Sequence, residues 1–304
     1  MNNIFDSPLL VTIKVQTYNS SKYVLDTLES IKSQTYQHLS LVISDDCSTD
    51  KTVKICKEWV EKNKDRFVAT QILESPVNTG ISGNGNRAED ACNTRWVKGI
   101  AGDDILLPNC IQDNMDYVSE HPDTVYLFSK VNVFGPDKNL NRLIEGLFNY
   151  SFFQLTPEQQ YERLIFKGNC IPASTCFYNL EKVRALAIRN DERIPMLEDY
   201  PKWINALKKG VQFQFMDKVT VSYRVHKKSL SISNIASPKY YQSHRLFDYF
   251  YLYDERVKRF GIEKTVTEDV EKQMGIYKSN YGLYSLFFIR LYFLLVRIKN
   301  KLIK

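Results

Sequence analysis

Two short apolar runs in this chain each end in a pair of adjacent carboxylates: Leu41-Val42-Ile43-Ser44-Asp45-Asp46 and Ile100-Ala101-Gly102-Asp103-Asp104. Strand-like runs that finish this way imply two parallel strands delivering carboxylates to one edge of a sheet. In an open α/β sheet, ligands bind in the crevice outside the strand carboxyl ends. Like charges gathered there repel, and are tolerated when a cation or a donor-rich ligand sits among them. The arrangement points to a metal-assisted site. The plainer reading of Asp103 and Asp104 is a polar turn leading into a helix at Pro108.

Strand and helix signals alternate through the first 120 residues. Leu9–Val15 is a β-branched run suited to a central strand, broken at Tyr18-Asn19-Ser20-Ser21. Helical spacing over about 22–33 (Leu25, Leu28, Ile31) follows, then a strand at Ser40–Ser44 and a helix capped by Ser48-Thr49-Asp50. Phe67–Leu73 and Trp96–Ala101 read as the third and fourth strands. Between them lie a polar glycine-rich loop, Asn78–Asn86, and a helix from about Arg87. This order specifies a doubly wound, largely parallel α/β sheet. Later strands are read at Val125–Phe134, Ser174–Tyr178 and Val219–Val225, a helix at Pro157–Phe166, and a long loop at Pro136–Tyr150.

Composition excludes a disordered or fibrous chain: 43% of the 304 residues are hydrophobic and 25% charged. The formal charge of +6 is a tail property, because no acidic residue follows Glu271 while Lys272, Lys278, Arg290, Arg297, Lys299, Lys301 and Lys304 do. Residues 280–298 are rich in Leu, Phe and Tyr, but Arg290 and Arg297 interrupt them, so they fall short of a spanning helix. Such a segment suits the surface of an anionic membrane; the plainer alternative packs it on the protein or on a second subunit. Six cysteines without zinc-like or C-x-x-C spacing read as buried thiols in a reducing compartment, and no secretory signal opens the chain. The expected location is cytoplasmic, peripheral at the inner face of the membrane, with no nucleic-acid partner.

The loop Asn78–Arg87 offers backbone amides and a cation to a diphosphate. Arg224, His226 and Lys227 form a cationic cluster that suits phosphates. Glu198-Asp199-Tyr200-Pro201 reads as the capped start of a helix through about Lys208. Trp59, Trp96 and Trp203 stand at core-like positions, although Trp203 is also placed to stack on an acceptor sugar.

In order and spacing, these segments resemble the family 2 glycosyltransferases of the GT-A fold. Thr17-Tyr18-Asn19 and Asp45-Asp46-Cys47-Ser48-Thr49-Asp50 resemble that family's Y-N and D-D-G-S-x-D segments. Asn78-Thr79-Gly80 with Asn86-Arg87-Ala88 come next, and Gly102-Asp103-Asp104 resembles its metal-binding D-x-D region. Glu198-Asp199 resembles the acceptor-side E-D, and Tyr223-Arg224-Val225-His226 with Ser229 and Ser231 its Y-R-x-H-x-x-S-x-S segment. The resemblance covers roughly residues 9–233. It implies a GT-A domain over 1–233, with a nucleotide-sugar half to about 120 and an acceptor half beyond, followed by a helical extension over 234–304.

The resemblance also implies an inverting transfer from a nucleotide sugar, with a UDP-sugar expected, to a glycan acceptor, expected to be lipid-linked, in surface polysaccharide synthesis (capsule or O-antigen). A hexosyl or N-acetylhexosaminyl group is expected. Thr17, Asp46 and Asp45 would contact the nucleoside, with one of the two acids shaping the turn instead; Tyr18, Asn19, Asn78, Gly80, Arg87, Gly102 and Arg224 complete the donor set. Expelling a diphosphate leaves negative charge that a hard divalent cation neutralises. Asp103 would supply an oxygen ligand for Mg²⁺ or Mn²⁺, and an imidazole from His226 favours Mn²⁺. Asp199 is the expected general base on the acceptor hydroxyl, with Glu198 and Trp203 beside it.

Two positions depart from the family pattern. Cys47 stands where glycine is usual, and Ala101 replaces the first aspartate of D-x-D. They leave room for a degenerate protein that binds a sugar nucleotide without turnover. A nucleotidyltransferase or a nicotinamide dehydrogenase would carry a glycine-rich loop directly after the first strand, and Thr17–Ser21 has none. A response-regulator-like receiver would be much shorter, with no use for Glu198-Asp199.

Overall fold

The computed structural model describes residues 9–226 and 238–261. Four parallel strands come first: β1 (Val11–Thr17), β2 (Leu39–Asp45), β3 (Ala69–Glu74) and β4 (Trp96–Ala101), in the order β3-β2-β1-β4. Their carboxyl ends are level, since Thr17 pairs with Asp45, Asp45 with Glu74, and Gln16 with Ala101. The connecting helices are α1 (Val24–Lys32), α2 (Thr52–Asn63) and α3 (Gly80–Asp90).

Beyond β4 the sheet becomes mixed. The short β5 (Ile105–Leu106) and α4 (Cys110–Glu120) precede β6 (Tyr126–Phe134). After α5 (Lys138–Glu145) and α6 (Pro157–Lys167) come β7 (Phe177–Asn179) and α7 (Leu180–Ala185). The chain continues through α8 (Asp199–Lys208) and β8 (Phe213–Arg224). β7 runs antiparallel to β4 and β6, β8 lies parallel to β6, and β5 closes the edge antiparallel to β8. The full order is β3-β2-β1-β4-β7-β6-β8-β5. Helix α9 (Pro238–Phe247) ends this unit. The chain divides after Phe247, and the second unit holds a π-helical turn Asp248–Leu252 and α10 (Tyr253–Phe260). Among the described residues no helix is long and apolar enough to cross a membrane. The expected tail over 280–304 lies outside the described residues, as do Lys227, Ser229 and Ser231.

The alternation of β1 explains the layering. Val11, Ile13 and Val15 face a core with Val24, Leu28 and Ile31 of α1 and Cys56 and Trp59 of α2. The opposite face of β1 is buried but polar: Thr12 pairs with Thr94, Lys14 with Glu89, and Gln16 donates to the Ile81 carbonyl. A buried polar face is stable only when its groups find partners, and α3 supplies most of them.

Four expectations need correction. The glycine-rich run is not a loop: Gly80–Asp90 is helix α3. Its glycines serve close packing, since a Cβ at Gly83 would stand 2.7 Å from the Thr79 side chain and one at Gly85 would stand 2.6 Å from Asn190 Nδ2. The long loop at 136–150 holds α5, capped by the Asp137 carboxylate on the Asn139 and Leu140 amides. The strand at Ser174–Tyr178 is a 3₁₀ turn over Ala173–Thr175 followed by the shorter β7, whereas β8 begins six residues before Val219. Trp203 is no acceptor platform: it is 3% exposed, with its ring packed edge-on to Tyr126, Phe128 and Phe213.

Candidate active site

Of the four carboxylates that mark the two acidic strand ends, three are buried and engaged within the protein. Asp45 accepts from Thr17 Oγ1 at 2.8 Å, Ser48 N at 2.8 Å and Ser48 Oγ at 2.6 Å. Asp46 accepts from Thr79 N and Oγ1, Gly80 N and Arg87 Nη2, at 3.0, 2.6, 2.8 and 3.1 Å. Four donors use the acceptor capacity of a carboxylate. Asp104 accepts the Arg224 amide at 2.8 Å; burial first and the neighbouring Asp103 second push its pKa well above the usual carboxylate range. Both Asp45 and Asp46 therefore shape turns, where one of them was expected to hold the nucleoside. Only Asp103 keeps an open carboxylate, with 28% of its side chain exposed.

His226 meets Asp103 there. Its Nε2 lies 3.1 Å from Asp103 Oδ2, and its ring stacks on Tyr23 at 4.8 Å. β8 ends in Arg224 two residues earlier, and that guanidinium is structural. It donates to the Asp103 carbonyl at 2.7 Å and to Asp26 at 2.8 Å, and lies over the rings of Tyr23 and Phe134. Arg224 thus staples β8 to the turn carrying Asp103, and does not present an open cation to a phosphate.

The loops after β1 and β2 are knitted together. Asn19 N donates to Ser48 Oγ and its Oδ1 accepts the Thr49 amide, while Ser20 N and Ser21 N reach Thr52 and Asp50. Cys47 takes the left-handed conformation at φ 66° that its glycine-like position demands, at a cost of about 1 kcal/mol. A Cβ at Gly102 would come 2.8 Å from Thr17 Cγ2, so only glycine lets the β4 turn close on β1. The side chains left open on this rim are Tyr18, Asn19 and Asn78, with Arg87 half-buried.

Helix α3 links this rim to the second acidic pair. Ser82 donates from N and Oγ to the Pro195 and Ile194 carbonyls, and Asn86 exchanges hydrogen bonds with Asn190. The segment so held leads to Glu198 and Asp199 at the start of α8. Asp199 accepts from Asn169 Nδ2 at 2.9 Å and from the Tyr200 amide at 2.7 Å. Burial raises its pKa above the usual range, against those two hydrogen bonds. Glu198 is pushed up to about 7, by burial first and by Asp199 second, while Lys14 and Lys202 pull it down. Glu198, half-buried at this turn, is thus fitted to take a proton near neutral pH.

Two hollows of about 430 and 320 Å³ flank Thr79, one beside Arg87 and Arg189 and the other between Gly80, Met196 and Leu246. Neither is lined by Asp103, His226 or Asp199. The sequence reading missed Asn169 and Tyr23, and it missed the ties of Ser48 to Asp45 and of Thr79 to Asp46, all of which rest on tertiary contacts. It also missed Lys14, Glu89 and Lys202, although a lysine in the middle of a β-branched strand was a readable signal.

Asp103 and His226 together fit a divalent cation. An oxygen and an imidazole nitrogen converge at an accessible edge, and among the described residues no third His, Cys, Asp or Glu joins them. Mg²⁺ is commonly held by one or two carboxylates plus substrate phosphates, so a donor set this small suits a cation that arrives with a diphosphate.

Residues 12–183 match the profile of the family described as Glycosyl transferase family 2. The chain is 25% identical over 243 residues to the glycosyltransferase MJ1057 of Methanocaldococcus jannaschii, covering 79% of each protein. It is 27% identical over 222 residues, 73% of this chain and 80% of the relative, to an Escherichia coli enzyme. That enzyme is WfaP, the UDP-Glc:alpha-D-GlcNAc-diphosphoundecaprenol beta-1,3-glucosyltransferase. Among solved structures it resembles S. aureus TarS 1-349 in complex with UDP-GlcNAc, with a TM-score of 0.62 and 21% identity over 79% of this chain and 66% of that one. The mannosyltransferase PcManGT of Pyrobaculum calidifontis, in complex with GDP-Man and Mn²⁺, gives a TM-score of 0.54 and 18% identity over 74% of this chain and 59% of that one.

Proposed function

Because the chain belongs to glycosyl transferase family 2 and has the GT-A fold, we propose that it moves a sugar from a UDP-sugar to a lipid-linked glycan, with inversion at the anomeric carbon. The observation that carries this reading is the pairing of Asp103 with His226 at the carboxyl edge of the sheet, joined through α3 to the Glu198–Asp199 turn. Support for the donor comes from WfaP, whose name gives UDP-Glc, and from TarS, solved with UDP-GlcNAc. WfaP also supplies the analogy for an acceptor on diphosphoundecaprenol.

In this reading the nucleoside lies along the rim of Thr17, Tyr18, Asn19, Asn78 and Gly80, whose shape Asp45, Asp46 and Arg87 fix from beneath. The exposed Tyr18 ring is open to meet it, beside the solvent-facing Asn19 and Asn78 side chains, which also hold Thr49, Asp46 and Gly80. Gly102 brings the diphosphate end close to β1, and Arg224 steadies Asp103. Asp103 and His226 would hold Mn²⁺ or Mg²⁺, which supplies charge neutralisation at the departing diphosphate.

Asp199 removes the proton of the acceptor hydroxyl. As it does so the oxygen bonds to the anomeric carbon, and the carbon–oxygen bond to the diphosphate breaks, its electron pair leaving with UDP. Asn169 and the Tyr200 amide orient the base, and Glu198 borders the acceptor. The basic, aromatic segment 280–304 would bring the protein to the membrane face that carries the acceptor lipid.

The test is a panel of UDP- and GDP-sugars incubated with Mn²⁺ and GlcNAc-diphosphoundecaprenol, run on the natural chain and on Asp199→Asn. The expected result is transfer from one UDP-sugar, and at least a thousandfold loss in Asp199→Asn with UDP affinity unchanged. Transfer by the variant at the natural rate would remove Asp199 from the role of base. Nucleotide binding without transfer or hydrolysis of any donor would favour the degenerate binder that Ala101 and Cys47 leave open.

A further inference from the structure

The mechanism leaves unused a buried cluster of charge directly behind the Glu198–Asp199 turn. Glu89, on α3, is 4% exposed, and one of its oxygens, Oε2, receives three donors from three other elements. Lys202 Nζ of α8 is 2.9 Å away, Tyr178 OH of β7 is 2.7 Å away, and Lys14 Nζ of β1 is 3.5 Å away. Both ammoniums also lie over the Tyr178 ring, at 5.1 and 5.6 Å from its centroid. Arg184 donates to the Glu89 carbonyl and fixes the end of α3.

Two features give this cluster a direction. Lys202 falls four residues after Glu198, so the two share one face of α8 at its first turn. The tie from Lys202 to Glu89 therefore pins the face and the turn that present Glu198 and Asp199. Two buried ammoniums against one buried carboxylate also leave a positive charge, and burying an uncompensated charge is costly. The nearby acids that can compensate it are Glu198, which both lysines act on, and Asp199 beside it.

We propose that Glu89 is a positioning residue of the transfer: through Lys202 it sets the first turn of α8, and with it the aim of Asp199 at the acceptor hydroxyl. The proposal rests on the reading of Asp199 as general base. Burial opposes the ionisation of Glu89, but Lys202, Lys14 and the Tyr178 hydroxyl outweigh it and hold the acid well below its usual range. Glu89 is thus a fixed anion throughout the working pH range, and not a proton carrier. The groups that face it are Lys14, Lys202 and Tyr178, with the Cys92 thiol of the same helix end close by.

The test uses the full chain with Mn²⁺ and the UDP-sugar that turns over fastest in the panel, following UDP release, UDP affinity by calorimetry and the pH profile of kcat. Glu89→Gln keeps the shape and removes the charge. The expected result is a kcat lowered at least tenfold, UDP affinity within twofold of the natural chain, and an acid limb moved to lower pH, because both lysines then act on Glu198, beside the base, without the Glu89 anion. A folded Glu89→Gln with natural kcat and pH profile overturns the proposal. If Glu89→Gln does not fold, Tyr178→Phe decides, since it removes one donor and no charge. A two- to fivefold lower kcat at unchanged UDP affinity supports the role, and an unchanged kcat refutes it. Asp199→Asn in the same assay separates the two readings: if it stays active the base assignment fails, and if it is dead beside a fully active Glu89→Gln only the positioning role fails.

Discussion

Replacing Asp46 by alanine should damage the fold before it touches chemistry. The carboxylate is 3% exposed and takes four donors. Two of them, the Thr79 hydroxyl and the Arg87 guanidinium, reach solvent and can turn to water. The other two are the backbone N–H groups of Thr79 and Gly80 at the start of α3, which have no intrahelical acceptor; Gly80 N keeps Asn78 Oδ1 at 3.2 Å, and Thr79 N is left stranded. The stranded donor costs about 1–3 kcal/mol, and losing the anion at a helix N-terminus adds about 0.3–1 kcal/mol. The sum is roughly 1–4 kcal/mol. A domain of this size loses about 2–4 °C of melting temperature per kcal/mol, so calorimetric melting without nucleotide should show a fall of about 3–16 °C. Asp46→Asn keeps one carbonyl acceptor and should lose about half as much. A melting temperature within 2 °C of the natural chain, together with lost UDP binding, would refute the reasoning and return Asp46 to the nucleoside.

The raised pKa of Glu198 makes stability depend on pH. Between the ordinary value of 4.5 and the folded value of about 7 the folded chain keeps a proton that the unfolded chain has released. The stabilisation is complete below the lower value and is lost as pH rises through about 7. Glu198→Gln should therefore melt with the natural chain at pH 5 and above it at pH 8; a difference independent of pH would contradict this. Gly102→Ala places a methyl 2.8 Å from Thr17 Cγ2 and should turn Thr17 away from Asp45. The expected cost is about 1–3 kcal/mol of stability with at least fivefold weaker UDP binding, and calorimetry showing unchanged affinity would remove Gly102 from the donor site.

The half of the molecule with regular alternation was legible. The β-branched runs and the cap cluster Ser48-Thr49-Asp50 place β1, β2, β4 and the first two helices to within a residue or two. The glycine at the position of Cys47 was inferred from pattern, and the chain does adopt positive φ there. The doubly wound sheet followed from the same signals, and the GT-A architecture from the resemblance of the motifs. Glycine propensity misled at Gly80–Asp90, because α3 needs small residues where Thr79, Asn190 and Gln16 press on it. Trp203 misled by proximity in sequence: one turn beyond Asp199 a helix faces the core.

The site was legible at the level of which loops build it, and less so for which atoms remain free. Asp103 and His226 do meet, 123 residues apart. Arg224 and Asp104 meet at the same edge, but the Arg224 amide goes to the Asp104 carboxylate and its guanidinium to the Asp103 carbonyl and Asp26. Asp45 and Asp46 are likewise consumed by Ser48, Thr79 and Arg87. Hydrogen bonds of this kind depend on approach distances of a few tenths of an ångström between distant segments, which no residue pattern encodes. The network around Glu89 was invisible for the same reason, apart from the lysine in β1.

The central claim is that Asp103 and His226 serve a metal-assisted diphosphate site. Its most direct test is calorimetric titration of UDP, with and without Mn²⁺, into the natural chain and into Asp103→Ala. The account predicts that Mn²⁺ tightens UDP binding to the natural chain at least tenfold, and that Asp103→Ala loses this gain while keeping its metal-free affinity. Equal UDP affinity with and without Mn²⁺ in the natural chain, or a gain that survives in Asp103→Ala, would contradict it.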